Sequence, residues 1–266
     1  MDLKLVGKRA LVTGSSSGLG EEIVRHLAAE GAAVVVHGRD RARAQSVADA
    51  VRREGGDASV ALGDLTTDAG ADAIAARALE GGPVDILVNN AGVYDPSRSW
   101  AATSSAEWAD TYNINVISSM RMVQRLVPAM RARGWGRVVQ ISSVTGTMPQ
   151  ASQPHYAASN AARDNLAASL ARELKHSGVT SNAVAAGGIL VPASVDHLVG
   201  IGRENGWGET WEEIEPELVG NLAPNGVGRI GRPHEYAALV TYLASPRSDY
   251  INGSTLRVDG GWYDAA

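Results

Sequence analysis

The segment from Arg9 to Gly20, RALVTGSSSGLG, constrains this chain more than any other. A β-branched apolar run, Ala10 to Thr13, stops at Gly14. Gly18 and Gly20 then open a stretch of helical character from Leu19 to Glu30. A strand that delivers glycines into the start of a helix forms a phosphate cradle. Glycine lets backbone N–H groups approach a pyrophosphate, and the helix N-terminus favours its charge. The spacing G-x-x-x-G-x-G is looser than the usual dinucleotide fingerprint and also fits an ordinary tight turn. Its place at the start of an alternating strand–helix chain favours the nucleotide reading.

That alternation runs on through the chain. Short apolar runs at Arg9–Thr13, Ala33–His37, Ser59–Leu62, Ile86–Asn89, Arg137–Ser142, Thr180–Val184 and Ser254–Val258 read as strands. Helical patterns lie near 18–30, 40–54, 68–80, 104–132, 155–177 and 233–245. Near-continuous Val/Ile runs fit strands buried on both faces of a parallel sheet. Regular strand–helix alternation implies right-handed crossovers and a doubly wound α/β sheet. Such sheets bind ligands beyond the carboxyl ends of their strands. The length of 266 residues fits one domain, 1–266.

Residues 191–232 break the rhythm with Trp207, Trp211, several glycines and a strongly acidic stretch. A long insertion after a strand end reads as a substrate lid. If Trp207 and Trp211 share a helix, they share a face and form an apolar wall over the substrate, or else bury against the sheet edge.

Net charge is −5, with no basic run, so nucleic acid and anionic membranes are not expected partners. The chain has no cysteine, which excludes disulfides and thiolate metal sites. The first residues, MDLKLVGKR, contain no apolar targeting segment, and a cytoplasmic location is expected.

Chemistry-bearing residues gather at the expected strand ends. Asn89-Asn90-Ala91-Gly92 follows the fourth strand, Asn115 lies in the next long helix, Ser142-Ser143 ends the fifth strand, and Tyr156 opens the helix after it. A serine and a tyrosine aimed at one site can act together on a carbonyl, one orienting it and the other exchanging the proton.

With TGSSSGLG (13–20), NNAG (89–92), NINV (113–116), the serine pair ahead of Tyr156, and INGSTLRVDGGW (251–262), the chain resembles the short-chain dehydrogenase/reductase family over nearly its whole length. The resemblance implies a Rossmann-type, seven-stranded parallel sheet. It also implies hydride exchange between a nicotinamide cofactor and a small carbonyl or alcohol, and a homotetramer, with a dimer as the alternative. In that family, helices matching 104–132 and 155–177 pair across a two-fold axis. Carried over by position, Ser143 orients the carbonyl, Tyr156 is the general acid/base, and Asn115 supports proton relay through a water or a backbone kink. The cofactor is assigned to Gly14, Ser16, Ser17, Gly18, Leu19, Gly20, Arg39, Asp64, Leu65, Asn90, Ala91, Gly92, Tyr156, Asn160, Gly187 and Ile189. Asn90 to Gly92 would line the adenosine-ribose side and Asp64 would contact adenine.

Three positions depart from the family pattern: Asn160 stands for the motif lysine, Ala186 for a proline, and Val191 for a threonine. An amide can replace the hydrogen bonds of the lysine to the ribose, but not its charge. A cation lost from within about 4–6 Å changes a pKa by roughly 1–3 units. Tyr156 is therefore expected near its ordinary ~10, which favours reduction over oxidation. Arg163 shares the face of Tyr156 two turns on, and reads as a subunit-interface salt bridge. His155 reads as a wall of the substrate pocket or a surface histidine.

Gly38 and Arg39 end the second strand where NAD-preferring relatives carry an acid. A guanidinium suits a 2′-phosphate, so NADP(H) is expected, with NAD(H) as the alternative. The leading reading is a carbonyl reductase or alcohol dehydrogenase. Its rival is a redox-neutral nucleotide-binding protein. A carrier-linked ketoreductase is disfavoured, because Asp196 to Glu217 holds seven acids against Arg203.

Overall fold

The computed structural model describes residues 1–95 and 97–262; the last part of the expected domain, 263–266, lies outside them. In chain order the elements are β1 (Arg9–Val12), α1 (Gly18–Ala29), β2 (Ala33–Gly38), α2 (Arg41–Arg53), β3 (Ala58–Leu62), α3 (Asp68–Leu79) and β4 (Ile86–Asn89). Then come α4 (Ser105–Tyr112), a π-helical segment (Asn113–Ile117), α5 (Ser118–Arg133), β5 (Gly136–Ser143), α6 (Pro154–Glu173) and β6 (Val179–Ala186). The remainder is α7 (Pro192–Glu204), α8 (Trp211–Leu222), α9 (Pro233–Leu243) and β7 (Thr255–Val258).

All seven expected strands form, within two residues at each end, and every pairing is parallel. The order β3-β2-β1-β4-β5-β6-β7 reverses direction between β1 and β4. This is a Rossmann-type sheet in a single domain. That reversal opens a crevice at the carboxyl ends of β1 and β4.

Strand residues are apolar on both faces because both faces are covered. Ala10 and Val12 point into a core with Ile23 and Leu27 of α1, Val47 of α2 and Val240 of α9. Leu11, between them, points the other way, into a core with Ile74 of α3 and Met122, Leu126 and Met130 of α5. Each such buried side chain contributes about 1.5–3 kcal/mol.

The expected continuous helix over 104–132 is interrupted. Residues 113–117 wind as a π segment between α4 and α5, which frees backbone carbonyls to bond elsewhere. Residues 191–232 carry two helices, α7 and α8. Trp207 lies in the link between them and Trp211 is the first residue of α8, so they do not share a helix. Both pack on a separate small core of Ile214, Leu218, Val219, Ala223 and Ile230. Neither the wall over the substrate nor the sheet edge holds them. Among the described residues no helix is long and apolar enough to cross a membrane.

Candidate active site

The turns after β1 through β6 converge on one cleft of about 1090 Å³. Its floor is the turn after β1. The Ser15 hydroxyl donates to the Val12 carbonyl at 2.7 Å and accepts from the His37 N–H at 2.9 Å. His37 Nδ1 in turn accepts from the Gly14 N–H at 2.9 Å, and Nε2 lies 3.3 Å from the Gly63 carbonyl. One buried imidazole thus ties the ends of β1, β2 and β3 together. Burial above all pushes its pKa down to about 4, so it is neutral, and the bond at Nδ1 places its proton on Nε2. Sequence reasoning did not single out His37. Its only signal is a polar residue at the end of an otherwise apolar strand.

Close backbone approach explains the glycines. A Cβ on Gly14 would sit 2.9 Å from Ala91 Cα; one on Gly20 would sit 2.5 Å from both Asn90 Nδ2 and the Gly14 carbonyl. A Cβ on Gly38 would meet Ser16 Oγ at 2.7 Å. From across the crevice, the Asn90 amide donates to the Thr13 carbonyl at 2.9 Å and the Gly14 carbonyl at 3.2 Å. Thr13 Oγ1 accepts from the Asn90 and Ala91 N–H groups, both at 3.0 Å. Asn90 is therefore a brace for the glycine turn as well as part of the cleft wall. Every residue assigned to the site lines the cleft except Gly18, whose left-handed φ of +61° shapes the turn.

At the outer end, Arg39 lines the cleft beside Arg43, which the sequence reading missed. Asp40 caps α2 by accepting from the Arg43 N–H at 3.1 Å. The Asp64 carboxyl is held below its ordinary range, mainly by the Thr66 N–H, with a smaller contribution from the Arg39 charge.

At the inner end, α6 starts at Pro154, with Gln153 before it in a left-handed conformation (φ 57°). This places Tyr156 in the first turn, its ring edge-on to Tyr94 at 5.2 Å between centroids. The Ser143 hydroxyl is close enough to the phenol to pull its pKa down against burial. Ser143, at the end of β5, also accepts from the Thr145 N–H at 3.3 Å. Asn160, one turn on, is buried and donates from Nδ2 to the Tyr156 carbonyl at 2.9 Å. Asn115 sits within the π segment. Its side chain accepts from the Val93 N–H at 2.8 Å and donates to Ser159 Oγ at 3.0 Å.

Three expectations are corrected here. Arg163 is not a subunit-interface salt bridge: it is buried within the chain, and its guanidinium donates to the carbonyls of Ala91, Asn115 and Ile141. His155 is neither pocket wall nor surface: it is buried with its ring 6.0 Å from that of Trp108. Tyr156 does not stay at its ordinary pKa. Burial pushes it up, against the Ser143 hydrogen bond, the Arg163 charge and the Asn160 hydrogen bond.

The substrate end of the cleft mixes Thr145, Gln150, Ser152 and Gln153 with Leu198, Ile201, Leu218 and Leu222 from α7 and α8. The apolar side is thus built from leucine and isoleucine, not from the tryptophans.

The family model for short chain dehydrogenases matches residues 8–197. The chain belongs to this family. It is 35% identical over 264 residues to the oxidoreductase YvaG of Bacillus subtilis, covering 98% of each chain. It is 35% identical over 261 residues to the 3-oxoacyl-(acyl-carrier-protein) reductase FabG of Vibrio cholerae, covering 98% of this chain and 99% of that one. The solved L-sorbose reductase of Gluconobacter frateurii, in complex with NADPH and L-sorbose, superposes with a TM-score of 0.93 at 30% identity, covering 100% of both chains. The protein is therefore a short-chain dehydrogenase enzyme, an oxidoreductase. The rival reading of a nucleotide-binding protein without redox chemistry is not favoured by these relatives.

Proposed function

We propose that the protein is an NADP(H)-dependent reductase that interconverts a small neutral carbonyl compound and its secondary alcohol, with reduction favoured. The observation that carries this reading is the convergence of Ser143 and Tyr156 on the inner end of a cleft floored by the glycine turn.

The residues present fit a dinucleotide. Gly14, Gly20 and Gly38 leave room that a Cβ would fill, and the N-terminus of α1 favours pyrophosphate. Arg39 and Arg43 line the outer end of the cleft and suit a 2′-phosphate, in keeping with the NADPH bound by the sorbose reductase. When bound, the reduced nicotinamide supplies the hydride for the new C–H bond. The Ser143 hydroxyl orients the carbonyl. Tyr156 gives its proton to the carbonyl oxygen as the C=O π pair becomes the O–H bond. A phenol pushed up by burial is protonated at neutral pH, which suits the acid of reduction more than the base of oxidation. Asn160 takes the ribose-facing position of the family lysine, and α7 with α8 forms the lid. Seven acids between Asp196 and Glu217 give that lid a surface that repels an acidic carrier protein and anionic substrates. The expected assembly is a homotetramer, with a dimer as the alternative.

The test is turnover of NADPH against a panel of ketones and hydroxyketones. Tyr156→Phe is expected to abolish reduction and oxidation while leaving NADPH binding intact; unchanged turnover would overturn the assignment. Each charged hydrogen bond to a 2′-phosphate contributes about 1.5–3 kcal/mol, so NADPH should bind more than roughly tenfold tighter than NADH. Arg39→Ala should erase most of that preference.

A further inference from the structure

Arg163 is a fully buried cation for which the functional reading gives no role. Its guanidinium meets three neutral acceptors: the carbonyl of Ala91 after β4, of Ile141 in β5, and of Asn115 in the π segment. No carboxylate lies within 4 Å of it among the described residues. Burying a charge against carbonyls alone is costly, because no opposite charge offsets its desolvation. Such a site suits an anion that forms during the reaction. The cleft group whose charge couples to it is the Tyr156 phenol.

We propose that Arg163 supplies, from further along α6, the positive charge that stabilises the Tyr156 phenolate and that Asn160 cannot provide. On a helix, residues 156, 160 and 163 fall on one face. An arginine side chain leans toward the helix N-terminus, so the guanidinium of residue 163 returns toward Tyr156. A Cβ built on Gly92 would lie 3.4 Å from Arg163 Nη2 and 3.3 Å from Asn115 Oδ1, which puts the guanidinium against the cleft wall rather than behind the sheet. Three carbonyls from three elements fix it there, so it acts as a positioned charge and not a mobile one. Burial pushes Arg163 down to about 10, and it remains cationic at neutral pH.

The other groups around the pair are accounted for. Ser143 of β5 and Asn160 of α6 each pull the phenol's pKa down, and Tyr94 packs on its ring. Asp164, next along α6, is pushed up by burial and accepts from Ser142 Oγ at 2.6 Å. His155 faces away, toward Trp108. Among these, Arg163 is the cation.

This inference rests on Tyr156 as the proton donor and acceptor, but its first test does not need turnover. With 13C-labelled tyrosine and Tyr156→Phe for assignment, NMR titration follows ionisation of the Tyr156 phenol in wild type, Arg163→Gln and Arg163→Lys. Gln keeps hydrogen-bond donors and removes the charge; Lys keeps the charge. The Gln variant should titrate at least about one pH unit higher, and the Lys variant should return most of that shift. The double variant Arg163→Gln with Asn160→Lys should also return it, because the charge has moved back by one turn. In alcohol oxidation the limb that rises with pH should move in the same direction, with reduction less affected. If Gln and Lys variants both titrate as wild type and differ only in melting temperature, Arg163 is a backbone brace and the proposal is wrong. If the shift appears but wild type turns over no ketone, the proposed function fails and the charge relationship stands.

Discussion

Acidification should unseat the glycine turn through His37. In the folded protein this imidazole is held neutral at about 4, against an ordinary 6.5, chiefly by burial. The unfolded chain therefore binds the proton first, and stability falls as pH drops below 6.5. The contribution is fully present above about pH 6.5, and its loss levels off below about pH 4. A displacement of about 2.5 pH units at about 1.36 kcal/mol each sets a limit near 3.4 kcal/mol. At pH 4.5 the folded imidazole is still mostly neutral and the unfolded one protonated, so about 2.5 kcal/mol of that limit is lost. The local reason is geometric. Nδ1 accepts from the Gly14 N–H, and a protonated Nδ1 would set two donors face to face. The comparison is with His37→Asn, whose Oδ1 can still accept from Gly14 but does not titrate. Urea unfolding of both proteins at pH 7.5 and 4.5 gives a double difference in which other groups cancel. The Glu235 carboxyl is among them, held near 2 by Arg229 in both proteins. Wild type should lose about 2 to 3 kcal/mol more than the variant. Equal losses, or a His37 titration near 6.5 by NMR, would refute the reasoning.

Gly20→Ala should weaken NADPH binding sharply and cost about 1–3 kcal/mol of stability, because its Cβ would strike the Asn90 amide and the Gly14 carbonyl at 2.5 Å; calorimetry and a melting curve measure the two effects. Trp211→Ala should act on stability, by about 1–3 kcal/mol, since the partly buried indole packs on the small core under α7 and α8. The same substitution should leave the KM for substrate less affected than Leu222→Ala, which removes cleft wall. Light scattering at micromolar concentration should give the mass of a tetramer or dimer; a monomer would contradict the proposed assembly.

The sheet was legible because its physics is local. Buried strands of a parallel sheet must be apolar on both faces, and Ala33–His37 or Ile86–Asn89 carry that signature within a few residues. The π segment was not legible, since Asn113–Ile117 has ordinary helix-forming neighbours. Its winding accompanies contacts with Val93, Ser159 and Arg163 that are distant in sequence. The tryptophans misled for a related reason. A four-residue spacing implies a shared face only if both residues lie in one helix, and the link before α8 excludes Trp207.

By itself, the sequence determined the α/β alternation, the glycine turn, and the spacing that brings Ser143 and Tyr156 to one end of the sheet. Those depend on period, on steric freedom at glycine and on short loops, all of which act over a few residues. Tertiary structure alone decided which charges enter the site. The phase of α6 shows that Arg163 faces the same way as Tyr156, but not that β5, the π segment and the turn after β4 present three carbonyls to receive it. His37 likewise reads as one polar residue at a strand end until the turns after β1 and β3 close over it. Burial and hydrogen-bond partners set the protonation of such groups, and both are supplied by segments far away along the chain.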